Sequence, residues 1–156
     1  MAKIELWAIG KTERGWVEDG AATYAGRVGR YVSFDFHIFP DVKERVEPAI
    51  LKKKEGESVL KKLEPGDFLV LLDEHGREFG SVDFSNWLQN RLADGQKRTI
   101  FLIGGAFGFS PEIYSRADLK ISLSKMTFPH QLIRVMFLEQ LYRGFSIAKN
   151  EPYHNE

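Results

Sequence analysis

Four short segments hold the residues whose types and spacing suit chemistry. The first is Ile103-Gly104-Gly105-Ala106-Phe107-Gly108, directly after the apolar run Thr99–Ile103. Glycines at the carboxyl end of a strand let a ligand approach the backbone, because no Cβ stands in the way. A tight turn needing positive φ accounts for the same glycines. The segment is not a G-x-G-x-x-G fingerprint and no Walker lysine follows, which counts against a nucleotide-phosphate cradle. The second segment, Leu71-Leu72-Asp73-Glu74-x-Gly76, also ends an apolar run. Its acids suit a ligand hydroxyl or, more plainly, cap a turn.

The third segment, Ser122-Leu123-Ser124-Lys125-Met126-Thr127-Phe128-Pro129-His130, alternates small hydroxyl and apolar residues. Such a loop offers an adenine both an apolar slot and backbone hydrogen-bonding groups, although it also reads as a simple helix entry. The fourth lies near the end: Glu139-Gln140-Leu141-Tyr142-Arg143, then Pro152-Tyr153-His154. A guanidinium can hold a phosphate or a base carbonyl. A phenol ring can stack on a base, and an imidazole moves protons near neutral pH. A frayed polar tail is the competing account.

The elements that must position these segments alternate. Strands are expected at Ile4–Ile9, Val32–Phe39, Phe68–Leu72, Thr99–Ile103 and Lys120–Leu123. Helices are expected over about 14–29, 42–63, 84–92, 111–116 and 129–149. Strands interleaved with helices predict an α/β fold with a largely parallel sheet. In such sheets ligands sit outside the carboxyl ends of the strands, where the first three segments fall. Pro129 suits a first helical turn and Thr127 a cap just upstream. The last helix is apolar in almost every direction, through Leu132, Ile133, Val135, Met136, Phe137, Leu138 and Leu141. A partner copy covering one of its faces is the simpler account of that pattern.

The bulk numbers bound the function. With 156 residues, one domain over 1–156 is expected, and 43% apolar with 28% charged residues is an ordinary globular composition. No run of about 20 apolar residues suggests a membrane span. The amino terminus reads as a strand and not as a signal peptide, so a cytoplasmic location is expected. The absence of cysteine excludes disulfides, thiolate nucleophiles and cysteine-based zinc sites. No histidine or acid spacing suggests a metal. A formal charge of zero argues against RNA binding by net charge alone, although five cations stand against three carboxylates from Lys120 onward.

Taken together, LLDExG, IGGAxG, SLSxMTxPHQLxRxxxxEQLYR and the terminal PYH resemble the RNA large-subunit methyltransferase H family of the SPOUT class. The resemblance runs through the whole chain and is strongest over 68–156. It implies a Rossmann-like domain with a carboxyl-terminal trefoil knot, a topology periodicity alone would not suggest. It also implies a homodimer that takes S-adenosyl-L-methionine as cofactor. Carried over residue by residue, the cofactor would lie against Leu72, Gly104, Gly105, Leu123, Ser124, Lys125, Met126, Thr127 and Phe128.

The implied reaction is methylation of N3 of a pseudouridine in 23S rRNA, at position 1915 in the helix 69 stem-loop, on the assembled ribosome. Arg143, Tyr153 and His154 match the tail positions tied to substrate binding or catalysis. His154, or Arg143 through a water, would then assist loss of the N3 proton. Asn155 stands after the terminal histidine, where a basic residue would add a phosphate contact. The competing readings are a binding module without chemistry and a SPOUT enzyme acting on another RNA. A hydrolase is disfavoured by the lack of G-x-S-x-G.

Overall fold

The computed structural model describes residues 2–95 and 98–155. Five parallel strands form one sheet in the order β2-β1-β4-β3-β5. They are β1 (Lys3–Ile9), β2 (Ser33–Phe39), β3 (Phe68–Glu78), β4 (Arg98–Ile103) and β5 (Leu119–Ser122). The intervening helices are α1 (Trp16–Val28), α2 (Pro48–Lys62), α3 (Ser81–Ala93), α4 (Pro111–Arg116) and α5 (Leu132–Ala148). The expected α/β class with a parallel sheet is what the chain forms.

Side-chain alternation along the strands sorts the core into two layers. Ile4, Leu6 and Ala8 of β1, with Phe101 and Ile103 of β4, join α1, α3 and α5 on one face. Trp7 and Ile9, with Ile100 and Leu102, join α2 and α4 on the other. Strands buried on both faces are apolar at every position, which is why Phe68–Leu72 and Thr99–Ile103 read as continuous apolar runs. Each fully buried large side chain here contributes roughly 1.5–3 kcal/mol.

Several boundaries differ from those the sequence suggests, each for a local reason. α2 begins at Pro48 and not at Val42, because proline at the first helical position starts a helix and restricts the residue before it. α3 starts at Ser81, three residues ahead of its first buried aromatic, Phe84. α5 begins at Leu132, and its cap position is Gln131 and not Thr127; the Gln131 side chain bonds the backbone of Lys11 and Glu13 instead of capping the helix.

The largest difference is in β3. It does not stop at Leu72 but continues to Glu78, with a register shift: Leu72 and Arg77 both oppose Ile121 of β5. Residues 73–76 are therefore pushed out of the ladder as a bulge. Gly76 returns the strand to β5 so closely that a Cβ there would lie 2.6 Å from the Ile121 nitrogen and the Lys120 carbonyl carbon.

α5 packs between α1 and α3. Phe137, Leu138, Leu141 and Phe145 are buried, while Leu132, Ile133, Val135 and Met136 are only half-buried. No helix among the described residues is long and apolar enough to cross a membrane.

Candidate cofactor pocket and carboxyl-terminal cluster

The register of the sheet brings three of the four segments to one rim. Leu72 pairs with Ile103 of β4 on one side and Ile121 of β5 on the other. The chain leaving each of these positions borders one cavity of about 560 Å³, a volume ordinary for a small-molecule site. Leu72, Gly104, Gly105, Ser124, Met126, Thr127 and Phe128 all line it.

Two of the expected cofactor residues do not. Leu123 turns into an adjoining groove beside Val135, Met136, Glu139 and Gln140 of α5. Lys125 lies in the exposed bend between Ser124 and Met126 and is not among the lining residues.

Local geometry explains the wall residues. The glycine loop is pinched by a bridge between Gly105 and Gly108, in which the Gly108 N–H donates to the Gly105 carbonyl at 3.1 Å. Gly108 sits at φ +84°, and a Cβ on Gly104 would lie 3.0 Å from the Phe109 ring. Here the turn account and the ligand account both hold: the glycines make the turn, and the turn forms a wall. A Cβ on Gly105 would meet the Glu55 carboxylate at 2.8 Å. Burial, reinforced by the Asp41 charge, holds that carboxyl above the usual carboxylate range. On the loop after β5, the Ser122 hydroxyl donates to the Ser124 carbonyl at 2.7 Å. The Met126 N–H donates to the Ser124 hydroxyl at 3.0 Å. These bonds brace the bend that carries Met126 to the cavity.

The bulge supplies Asp73, Glu74 and His75 to the same rim. Asp73 accepts from the His75 N–H at 2.8 Å and from the Tyr114 hydroxyl, so it does cap a turn as the plainer reading has it. Burial first, then this bond and the nearby acids, push the Tyr114 phenol up to about 12. Sequence reasoning missed Tyr114, since a short helix with one tyrosine carries no motif.

The loop's exit is fixed by Arg134, which is fully buried. Its guanidinium donates to the carbonyls of Ile9 and Gly10 at 2.8 Å, to Thr12 Oγ1 at 2.9 Å and to the His130 carbonyl at 3.3 Å. Among the described residues no carboxylate bonds it, and burial, outweighing the Asp41 and Glu13 charges, lowers its pKa. Four acceptors in place of a counter-ion make it a clamp between the start of α5 and the end of β1.

The fourth segment gathers elsewhere. Arg143 Nε donates to Glu139 at 2.8 Å, Arg143 Nη1 meets His154 Nδ1 at 3.0 Å, and the guanidinium lies 4.8 Å from the Tyr153 ring centroid. Tyr153 packs edge-on against Tyr142 at 4.6 Å, and Tyr31 of the segment after α1 bonds Glu151. The tail is docked and not frayed. None of Arg143, Tyr153 and His154 is among the residues lining the cavity. Ile133 is, and ten residues of helix separate it from Arg143, about 15 Å along the axis.

A cavity bounded by apolar side chains, glycine backbone and hydroxyl-bearing loops has the donor set an adenosyl group needs. Comparison with known proteins agrees with that chemistry. The model of the family described as predicted SPOUT methyltransferases matches residues 2–154. A protein of Christiangramia forsetii is 51% identical over 154 residues, covering 97% of this chain and 98% of that protein. One from Parabacteroides distasonis is 48% identical over 156 residues, with 99% of each chain covered. One from Flavobacterium johnsoniae is 48% identical over 155 residues, covering 98% and 99%. All three bear the name ribosomal RNA large subunit methyltransferase H. With three loops meeting at one pocket and the match running from end to end, the chain belongs to the SPOUT methyltransferases, in the ribosomal RNA large-subunit methyltransferase H family.

Proposed function

We propose that the protein is a cytoplasmic, homodimeric enzyme that transfers a methyl group from S-adenosyl-L-methionine to N3 of a pseudouridine in 23S rRNA. The substrate reading is the position-1915 pseudouridine of helix 69 on the assembled ribosome. The single domain and the trefoil knot of the family belong to the same reading. The observation that carries it is the cavity, which collects seven of the nine residues expected to hold the cofactor. Glycine backbone and the apolar walls of Leu72, Met126 and Phe128 suit the adenosyl group.

When bound, the cofactor supplies an already activated methyl group, so the protein's task is alignment and management of one proton. The imide nitrogen of the target carries that proton at neutral pH. Arg143 and His154 act on it together. A guanidinium only donates, so the imidazole accepts at Nδ1 and carries its own hydrogen at Nε2. In this arrangement His154 offers an N–H to an imide carbonyl while Arg143 adds positive charge beside it. Both stabilise the negative charge that develops on the ring as the N3 proton leaves to water. Tyr153 holds the guanidinium in place from its face.

Because Arg143 lies about 15 Å along α5 from the cavity, the tail of one protomer serves the pocket of the other. The half-buried apolar start of α5 offers the surface that a second copy would cover. Docking on the ribosome supplies phosphate contacts to a chain of zero formal charge.

Mass spectrometry of 23S rRNA from cells lacking the protein tests the reading, with one missing methyl group on the position-1915 pseudouridine expected. The purified protein with tritiated cofactor should restore it on intact ribosomes and label an isolated hairpin poorly. An unchanged methylation map would end the proposal.

A further inference from the structure

Five large apolar side chains are exposed among the described residues, and three of them, Phe107, Tyr114 and Met126, line the one cavity described above. They are 55%, 41% and 73% exposed. Phe107 stands at the tip of the turn closed by Gly105 and Gly108, and Met126 at the tip of the bend closed by the Ser124 hydroxyl. Each turn is closed by a hydrogen bond of its own, so each presents an apolar side chain on a braced support. Scattered apolar residues need no explanation, but a cluster at a cavity mouth marks a binding surface.

The charges around the mouth indicate what binds there. The rim carries acids as well: Asp73 accepts from Tyr114 and the His75 N–H and so is turned into the chain, and Glu74 lies 3.4 Å from the His75 ring nitrogen. Lys120 stands 5.5 Å from the Tyr114 ring centroid, and Lys125 is exposed beside Met126. Aromatic and soft apolar faces flanked by lysines suit an unpaired nucleobase and its phosphates. A helical or sheet surface of a protein partner would not require cations next to a lone aromatic tip.

We infer that Phe107 is a stacking platform for an unpaired nucleobase of the RNA substrate, with Met126 bounding the same site from the loop after β5. The inference rests on the proposed RNA methylation, and it names the residue that holds the RNA loop open at the mouth. Stacking depends on a flat ring and not on volume, so leucine cannot replace phenylalanine here while tryptophan can.

The test is co-sedimentation of wild type, Phe107→Leu and Phe107→Trp with ribosomes, in the presence of S-adenosylhomocysteine. Phe107→Leu should bind ribosomes roughly 5- to 150-fold more weakly, the range expected for one lost base–aromatic stack. Phe107→Trp should bind as wild type does. Calorimetry should give the same S-adenosylhomocysteine affinity for all three, and ultracentrifugation the same oligomeric state. Equal ribosome binding by wild type and Phe107→Leu would overturn the inference. So would a parallel loss of S-adenosylhomocysteine affinity, which would make Phe107 a cofactor wall. Dissociation of Phe107→Leu into monomers would overturn it too, making the side chain a contact between copies. Turnover is read separately: a wild type that sediments with ribosomes but does not methylate them refutes the proposed function, and the comparison at Phe107 still decides the stacking role.

Discussion

Arg143 and His154 meet through Nη1 and Nδ1 at 3.0 Å, eleven positions apart in the chain, and the guanidinium's inability to accept fixes which imidazole nitrogen carries the hydrogen. The last turns of α5 and the chain after Asn150 are folded against each other by this contact and the Tyr153 ring, while the Glu139 bond within α5 steadies the guanidinium. The terminal histidine is thereby a donor at Nε2.

That assignment predicts an ordering of variants. Glutamine places an amide N–H near where Nε2–H stood, while asparagine reaches only as far as Nδ1. His154→Gln should retain kcat within about ten-fold of wild type, and His154→Asn and His154→Ala should lose about a hundred-fold or more. Single-turnover methylation of ribosomes at saturating cofactor measures this. Equal losses for glutamine and asparagine would contradict the donor role.

Tyr153 should behave as a support and not as a base. Burial, followed by its bond with Tyr24 and the nearby Glu139 charge, pushes the phenol up to about 12, against the opposing pull of Arg143. It therefore stays protonated across the range in which the enzyme can be assayed. The pH–rate profile should show no inflection near 10, and Tyr153→Phe should match it with kcat within about ten-fold. Tyr153→Ala removes the ring beneath Arg143 and should cost more than Tyr153→Phe in kcat.

The separation of tail and pocket makes a prediction about mixed dimers. Arg143→Ala disables the tail, and Gly104→Val disables the pocket by crowding the buried Phe109 ring, 3.0 Å from a Cβ there, and the Gly108 carbonyl at 3.3 Å. Heterodimers of the two, purified with two different tags, hold one pocket that is intact and served by an intact tail if service is between protomers. They should show about half the wild-type rate, whereas each homodimer is inactive. An inactive heterodimer would place tail and pocket in the same chain.

Much of this was legible in the sequence, for reasons that differ between elements. Phe68–Leu72 and Thr99–Ile103 announce buried parallel strands because both faces of each are covered. The glycine loop was legible as a turn, and the structure adds that the turn is itself a wall of the cavity. The continuation of β3 through 73–78 was not legible. Asp73, Glu74 and Gly76 have the local preferences of a turn, and only the late pairing with β5 draws 77–78 back into the sheet. Arg134 was unreadable as a clamp for a related reason: its acceptors are backbone carbonyls from β1, which no side-chain pattern encodes. Leu123 was drawn to the cavity by its neighbours in the motif, yet alternation past β5 turns it to the other side.

At the opposite end of the sheet, a buried ion pair should govern acid stability. Asp67 is buried, which by itself raises its pKa. The Arg98 hydrogen bonds, the Glu64 N–H and the charges of Arg98 and Arg116 outweigh burial and hold it below the usual carboxylate range. A depressed folded-state pKa means stability that is present above about pH 4 and lost as the pH falls through the folded value. Asp67→Asn should lower stability by about 1–3 kcal/mol at neutral pH, roughly 2–10 °C in Tm. The gap to wild type should close as the pH falls below about 4. A gap that stays constant down to pH 2 would show that the loss is packing and not charge.

Gly76 carries the sharpest steric prediction. The bulge at 73–76 ends where β3 rejoins β5, and a Cβ on Gly76 would lie 2.6–2.7 Å from backbone atoms of Lys120 and Ile121. Backbone cannot step aside as a flexible side chain would, so Gly76→Ala must push β3 and β5 apart. β5 leads directly into Ser124–Phe128, so the displacement reaches the cavity wall. Gly76→Ala should therefore lower Tm and weaken S-adenosylhomocysteine binding together. Gly80→Ala, at an open position of ordinary φ that caps α3, should leave S-adenosylhomocysteine binding unaltered, its cost to Tm being that of an N-cap change alone. Thermal melts and calorimetry on the two variants check this, and a Gly76→Ala protein with wild-type affinity would mean that the pocket does not depend on the β3–β5 junction.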